Sequence, residues 1–115
     1  MRRGDIWLFD FNPSRGSEAA KVRPAVVVSN DGANLAASCM TTGVVTVVPL
    51  TTNTQTVYPF QALLTPAETG LNHTSKAQTE QVRSLSVERA TRQIGLVRDS
   101  TMTRIDSALR VHLAL

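Results

Sequence analysis

The sequence predicts a small, mostly antiparallel β-protein: a barrel or coiled sheet with a helix at its C-terminal end. Three observations carry that reading. Short runs rich in β-branched residues recur, with Ala25–Val28 and Gly43–Leu50 as the clearest. Gly, Pro and Asn clusters stand between such runs as turn punctuation. Only after Asp99 does apolar spacing turn helical: Met102, Ile105, Leu109 and Leu113 stand three, four and four residues apart.

The elements follow in order. Gly4–Phe11 alternates, with Ile6 and Leu8 on one side and Trp7, Phe9 and Phe11 on the other. This predicts a strand covered on both faces. Residues 12–23 form a polar loop punctuated by Pro13 and Gly16. Ala25–Val28 is a buried strand. Asp31–Ala37 is one or two helical turns, capped by Asn30 or Asp31. Gly43–Leu50 is a strand ending at Pro49, which cannot donate to a central ladder. Thr51–Pro59 is polar and long enough for a mobile loop. Phe60–Thr65 is a strand, Pro66–His73 a connection, and Lys76–Leu85 and Gln93–Val97 are weaker strands. Asp99 or Ser100 caps the final helix.

At 115 residues the chain reads as one domain, 1–115. Hydrophobic residues make up 42% and charged residues 18%, which argues against disorder. No wholly apolar run exceeds four residues, so no membrane span is expected. Asp5 and Asp10 interrupt what would be the apolar part of a leader, and the chain reads as cytoplasmic. Cys39 is the only cysteine, which excludes an internal disulfide and a cysteine-based zinc site. The net charge is +3, and all the basic residues except Lys21 and Lys76 are Arg, the residue better suited to bidentate phosphate contact. His73 and His112 lack companions at metal-ligand spacing. P-loop, GxGxxG, GxSxG and zinc signatures are absent.

Four groups could carry chemistry, and each has a plain structural alternative. Pro24 holds Arg23 extended, so its side chain can reach a groove, or it is a surface Arg before a strand. Thr51 and Thr52 sit at a strand end, where hydroxyls bond a phosphate oxygen or cap their own backbone. Arg15, Ser17 and Glu18 could meet a nucleotide from the polar loop, or simply form a solvated turn. Glu80–Arg83 reads as strand, with Gln81 and Arg83 sharing a face. There Gln81 can read a base edge, and Arg83 can bind phosphate or pair within the fold.

Taken together, six segments resemble the MazF/PemK family of toxin endoribonucleases of bacterial type II toxin–antitoxin modules. They are RGDIW at 3–7, GSE at 16–18, RPAVVVS at 23–29, VPLTT at 48–52, YPF at 58–60 and EQVRS at 80–84. They occur in the family's order and span nearly the whole chain. The resemblance implies an SH3-like antiparallel β-barrel with flanking helices, including a C-terminal helix, acting as a homodimer. It implies cleavage of single-stranded RNA, chiefly mRNA, without metal or other cofactor. The 2′-hydroxyl attacks its own phosphate and leaves a cyclic phosphate and a 5′-hydroxyl. It assigns catalysis to Arg23 and Thr51 and matches the family's Glu and Gln to Glu18 and Gln81. Arg15, Ser17 and Thr52, which the residues themselves point to, join Glu18 and Gln81 as the expected substrate contacts. An acidic antitoxin is the implied protein partner. Ala19 departs from the family, which often carries Gln there, so the recognised sequence is expected to differ.

The implied chemistry agrees with the residue types. A phosphorane gains negative charge, which a guanidinium can hold through two oxygens and a threonine hydroxyl can share. Arg stays protonated and is a poor general base, so its role is charge stabilisation. Two other classes compete. A CcdB-like gyrase poison shares the fold but acts through a C-terminal Trp, whereas this sequence has Leu113-Ala114-Leu115 at that end and its only Trp at position 7. A noncatalytic SH3-like RNA-binding module fits the charge but gives no reason for Arg23 and Thr51 to converge.

Overall fold

The computed structural model describes residues 1–19, 21–40 and 42–115. Ala20, within the polar loop expected over 12–23, and Thr41 lie outside the described residues. Among the described residues, seven strands and three α-helices occur in the order β1 (Asp5–Asp10), β2 (Val22–Val27), α1 (Asp31–Ser38), β3 (Val44–Thr51), β4 (Gln61–Leu64), α2 (Pro66–Thr69), β5 (Ser75–Gln78), β6 (Arg83–Ser86), β7 (Ala90–Leu96) and α3 (Asp99–Leu113). All pairings are antiparallel, in the order β4-β5-β3-β2-β1-β7, with β6 also paired to β3. The result is a barrel-like sheet that is not closed, with β4 and β7 as its two ends.

Three strands share β3. Its residues Val26-facing Val48 and Ala25-facing Pro49 pair with β2. On the other side Val44–Val47 pair with β6, and Leu50 and Thr51 pair with β5. Pro49, expected to end this strand, is buried inside it. It falls between the last β6 pair and the first β5 pair, where no ladder partner has to be given an N–H. The pairing offset also changes by three residues between β5 and β6. A 3-10 turn, Thr79–Gln81, takes up that length. The single strand expected over 76–85 is therefore two strands with a turn between them.

Both sheet faces are covered, as the alternation of β1 predicts. Ile6, Val26, Val48, Leu50, Ala62, Leu64 and Ala77 pack with Val97, Met102 and Ile105 of the C-terminal segment. Phe9, Phe11, Ala25, Val27, Val45, Val47 and Leu85 form a second cluster on the other face. Burying such side chains stabilises the fold by about 1.5–3 kcal/mol each.

The helices match the expected signals with corrections. Asn30 caps α1, and its side chain accepts from the Ala33 N–H at 2.8 Å. The expected connection 66–73 contains α2, built on a capping box in which Thr65 and Glu68 satisfy one another. Gly70 ends it in the left-handed region at φ 79. Gly95 lets α2 lie against β7, since a Cβ there would come 2.3 Å from the Thr69 carbonyl oxygen. In α3 the N-cap is Arg98, without a side-chain cap bond, rather than Asp99 or Ser100. Met102 and Ile105 are buried and Leu109 is packed against the core, but Leu113 is 48% exposed. The stripe stops one turn early because the core ends there. No helix among the described residues is long and apolar enough to cross a membrane.

Candidate active site

Arg23 and Thr51 meet because two strands are in register. Ala25 of β2 faces Pro49 of β3. Carried two residues on, that register sets Arg23 opposite Thr51. The period of two then puts both side chains on the same face as Val47 and Val27. Pro24 follows Arg23, lacks an N–H and keeps its predecessor extended. A cleft of about 270 Å³ lies at these strand ends, lined by Arg23, Pro24, Leu50, Thr51, Thr52 and Ser75. It combines a guanidinium with several hydroxyls. Thr51 Oγ1 accepts from the Asn53 N–H at 3.3 Å, which leaves its own hydrogen able to donate into the cleft. A larger hollow of about 530 Å³ lies between α2 and β7. It is lined by both Glu68 and Arg98, and Glu68 is already paired with Arg104.

The other expected contact residues are placed differently. Arg15, Ser17 and Glu18 are exposed on the loop between β1 and β2 and do not line the cleft. Glu18 Oε1 accepts from the Arg15 N–H at 3.0 Å, and the Glu18 N–H donates to the Arg15 carbonyl at 3.1 Å. The pair forms a self-closed turn on which Arg15 is exposed.

Gln81 is not on a strand face, as the alternation suggested. It sits in the 3-10 turn, and its amide holds the first loop. Its Oε1 accepts from the Ala19 N–H at 3.0 Å, and its Nε2 donates to the Ser17 carbonyl at 2.9 Å. Both ends of the amide are thereby engaged with the loop backbone. Ala19 is buried, so the position where a longer side chain was expected serves packing. Arg83 lies with its guanidinium carbon 5.9 Å from the Phe11 ring centroid, an internal contact.

The Thr51–Pro59 segment, expected to be mobile, is fastened at several points. Lys76 Nζ donates to the Thr56 carbonyl at 2.6 Å. Gln61 Oε1 accepts from the Tyr58 N–H at 3.2 Å, and Thr79 Oγ1 donates to the Phe60 carbonyl. Gln61 Nε2 in turn donates to Glu80 Oε2 at 2.6 Å. Lys76 and Gln61 were not singled out from the sequence. Both act across strand pairings that local spacing does not reveal. Among the described residues, no group of three or more His, Cys, Asp and Glu side chains is arranged to hold a metal ion.

Known proteins resemble this chain in sequence and in fold. The family model for PemK-like, MazF-like toxins of type II toxin–antitoxin systems matches residues 2–113. The chain is 54% identical over 115 residues to Endoribonuclease MazF9 of Mycobacterium tuberculosis (strain ATCC 25618 / H37Rv), covering 100% of this chain and 98% of that protein. Its fold is similar to the crystal structure of MazF from Deinococcus radiodurans, with a TM-score of 0.81, 25% identity and coverage of 100% and 97%. It is likewise similar in fold to a mycobacterial endoribonuclease in complex with its cognate antitoxin, with a TM-score of 0.78, 23% identity and coverage of 100% and 96%.

Proposed function

Because the chain belongs to the PemK-like, MazF-like toxin family and is an endoribonuclease of that family, we propose that it cuts single-stranded RNA, chiefly mRNA, at a short sequence through the Arg23–Thr51 cleft. The observation that carries this reading is the meeting of a guanidinium and threonine hydroxyls in one cleft at the ends of β2 and β3.

The ribose 2′-hydroxyl of the residue 5′ to the cut attacks the adjacent phosphorus. The 2′-oxygen–phosphorus bond forms, and the bond to the 5′-oxygen of the next nucleotide breaks. The 2′-oxygen gives up its proton as it attacks, the departing 5′-oxygen takes one up, and the products are a 2′,3′-cyclic phosphate and a 5′-hydroxyl. Arg23 holds the two non-bridging oxygens as they gain charge, and Thr51 adds a hydroxyl donor. Thr52 borders the phosphate path. Arg15, Ser17 and Glu18 meet the neighbouring nucleotides from the first loop, which Gln81 keeps in place. The reaction uses no metal. Cutting mRNA stops translation and growth. Its place of action is the cytoplasm, as one domain over 1–115, working as a homodimer and silenced by an antitoxin encoded beside it.

The test uses an RNA with a single 2′-deoxy substitution 5′ to the cut. Cleavage should vanish because the nucleophile is missing, while the all-ribose RNA is cut at the same rate with EDTA present. Cutting of the deoxy substrate, or loss of activity in EDTA, would overturn the mechanism.

A further inference from the structure

Lys76 is one of two lysines in the chain, and its residue is only 8% exposed. Lysine is rarely fully buried without a partner, because its ammonium is strongly hydrated. Here its amine meets the Thr56 carbonyl at 2.6 Å. The residue also pairs by its backbone with Thr51 across β3 and β5. Lys76 therefore holds both ends of the stretch from Thr51 to Thr56, one through the ladder and one through its side chain. Inside that stretch the Asn53 N–H bonds Thr51 Oγ1 at 3.3 Å and the Gln55 N–H bonds Asn53 Oδ1 at 3.3 Å. Both are local bonds that a detached loop can keep in many orientations. The Lys76 bond spans 20 residues and fixes the loop to the sheet.

Leu63 and Thr51 both face Lys76 in the paired strands, so all three share a sheet face. The lysine stem lies along that face, and its amine reaches the loop that crosses it. Thr51 and Thr52, at the start of this loop, line the cleft.

We propose that Lys76 is a positioning residue for cleavage: its buried ammonium clamps the loop at Thr56 and so sets the Thr51 and Thr52 hydroxyls toward the cleft. This rests on the reading of the cleft as the cleavage site. A hydroxyl displaced by about 1 Å loses much of its effect on the transition state, though not on ground-state binding.

Lys76→Met keeps the length and apolar stem and removes the donor, while Lys76→Arg keeps a donor. Three quantities are read on each: kcat on a cleavable RNA, Kd for the same RNA carrying 2′-deoxyribose at the cut, and amide hydrogen exchange over 52–57. Lys76→Met should lower kcat about tenfold or more, change Kd less than twofold, and speed exchange over 52–57 while 44–50 stay protected. Lys76→Arg should recover most of both losses. Wild-type kcat in Lys76→Met, or unchanged exchange in 52–57, would overturn the proposal. So would a tenfold weaker Kd at unchanged kcat, which would make Lys76 a charge contact to RNA. If the methionine variant fails to fold, the arginine variant decides: loss of kcat with unaltered exchange over 52–57 refutes the clamp. Thr51→Ala is measured in parallel. Full activity there would sink the cleft assignment, while the exchange result still judges the clamp.

Discussion

Two polar loops flank the Arg23–Thr51 pair, and they are held in opposite ways. The loop between β1 and β2 stands open to solvent, with Arg15, Ser17 and Glu18 exposed. A side chain from outside, Gln81, grips it by its backbone at Ser17 and Ala19. The loop between β3 and β4 is also exposed over most of its length, but it is tied to the sheet by the side chains of Lys76, Gln61 and Thr79. The first loop can change its outward side chains without losing its anchor, because the anchor touches backbone alone. The second begins at Thr52, directly after Thr51 at the end of β3, and is fixed further along at Thr56. Under the proposed function, recognition and chemistry would thus sit on separate segments. Sites built on rigid elements keep productive geometry better than sites on loops free to move.

Removing the groups between the loops should have the largest effect. Arg23→Ala should lower kcat/KM by about 10²–10³ or more, since it removes a charge and two donors, and Thr51→Ala by somewhat less. Circular dichroism melts should stay close to wild type, because both side chains sit at the cleft rather than in a core cluster. A near-wild-type rate for Arg23→Ala would break the comparison at its centre.

A smaller effect should separate the two loops. Gln81→Ala leaves the Ala19 N–H and Ser17 carbonyl without their partner, a loss of about 1–3 kcal/mol in local order. We expect KM to rise about tenfold and the pattern of cut sites to broaden, with kcat on the best site little changed. Glu18→Ala should shift the cut pattern alone, read by sequencing RNA 5′ ends. A fall in kcat with an unaltered pattern would mean that Gln81 supports the chemistry instead.

The smallest effect lies far from both loops. The Glu68 carboxyl is held down to about 2 from 4.5, first by the Thr65 backbone N–H, then by Arg104, Thr101 and the Thr65 hydroxyl. Its pKa is depressed in the fold, so its stabilisation is complete above about 4.5 and is lost as pH falls toward 2. Glu68→Gln should melt a few degrees below wild type at neutral pH, and the gap should close over that window. RNA cleavage at pH 7 should not change. A gap that persists at pH 2 would remove the carboxylate from the account.

The sequence carried these regions unequally. The β-branched runs marked β2 and β3 because their signals are local, and Asn30 marked the start of α1 for the same reason. The motifs around Arg23 and Thr51 singled them out, and both line one cleft. The roles of Gln81 and Lys76 were not. Gln81 depends on a 3-10 turn that exists only because β5 and β6 share β3 with a three-residue offset. Lys76 depends on a pairing between residues 25 positions apart, Thr51 and Lys76. Composition and periodicity describe neighbours in the chain, and both anchors arise from neighbours in the sheet. Pro49 misled for a related reason: its missing N–H is harmless only where β3 changes partners.

The threefold sharing of β3 has a consequence for when the protein can act during its synthesis. Arg23 and Thr51 both emerge in the first half of the chain, yet the strand that ends in Thr51 has only β2 beside it at that stage. Its remaining partners are β5 and β6, the latter ending at Ser86. Lys76 and Gln81 arrive in the same late stretch. A growing chain still threaded through the ribosome therefore holds Arg23 and Thr51 before the strands that brace β3 have been made. If this pair is the catalytic one, as proposed, cleavage should begin only after Ser86 has left the ribosome, which nascent chains stalled before and after that point would show.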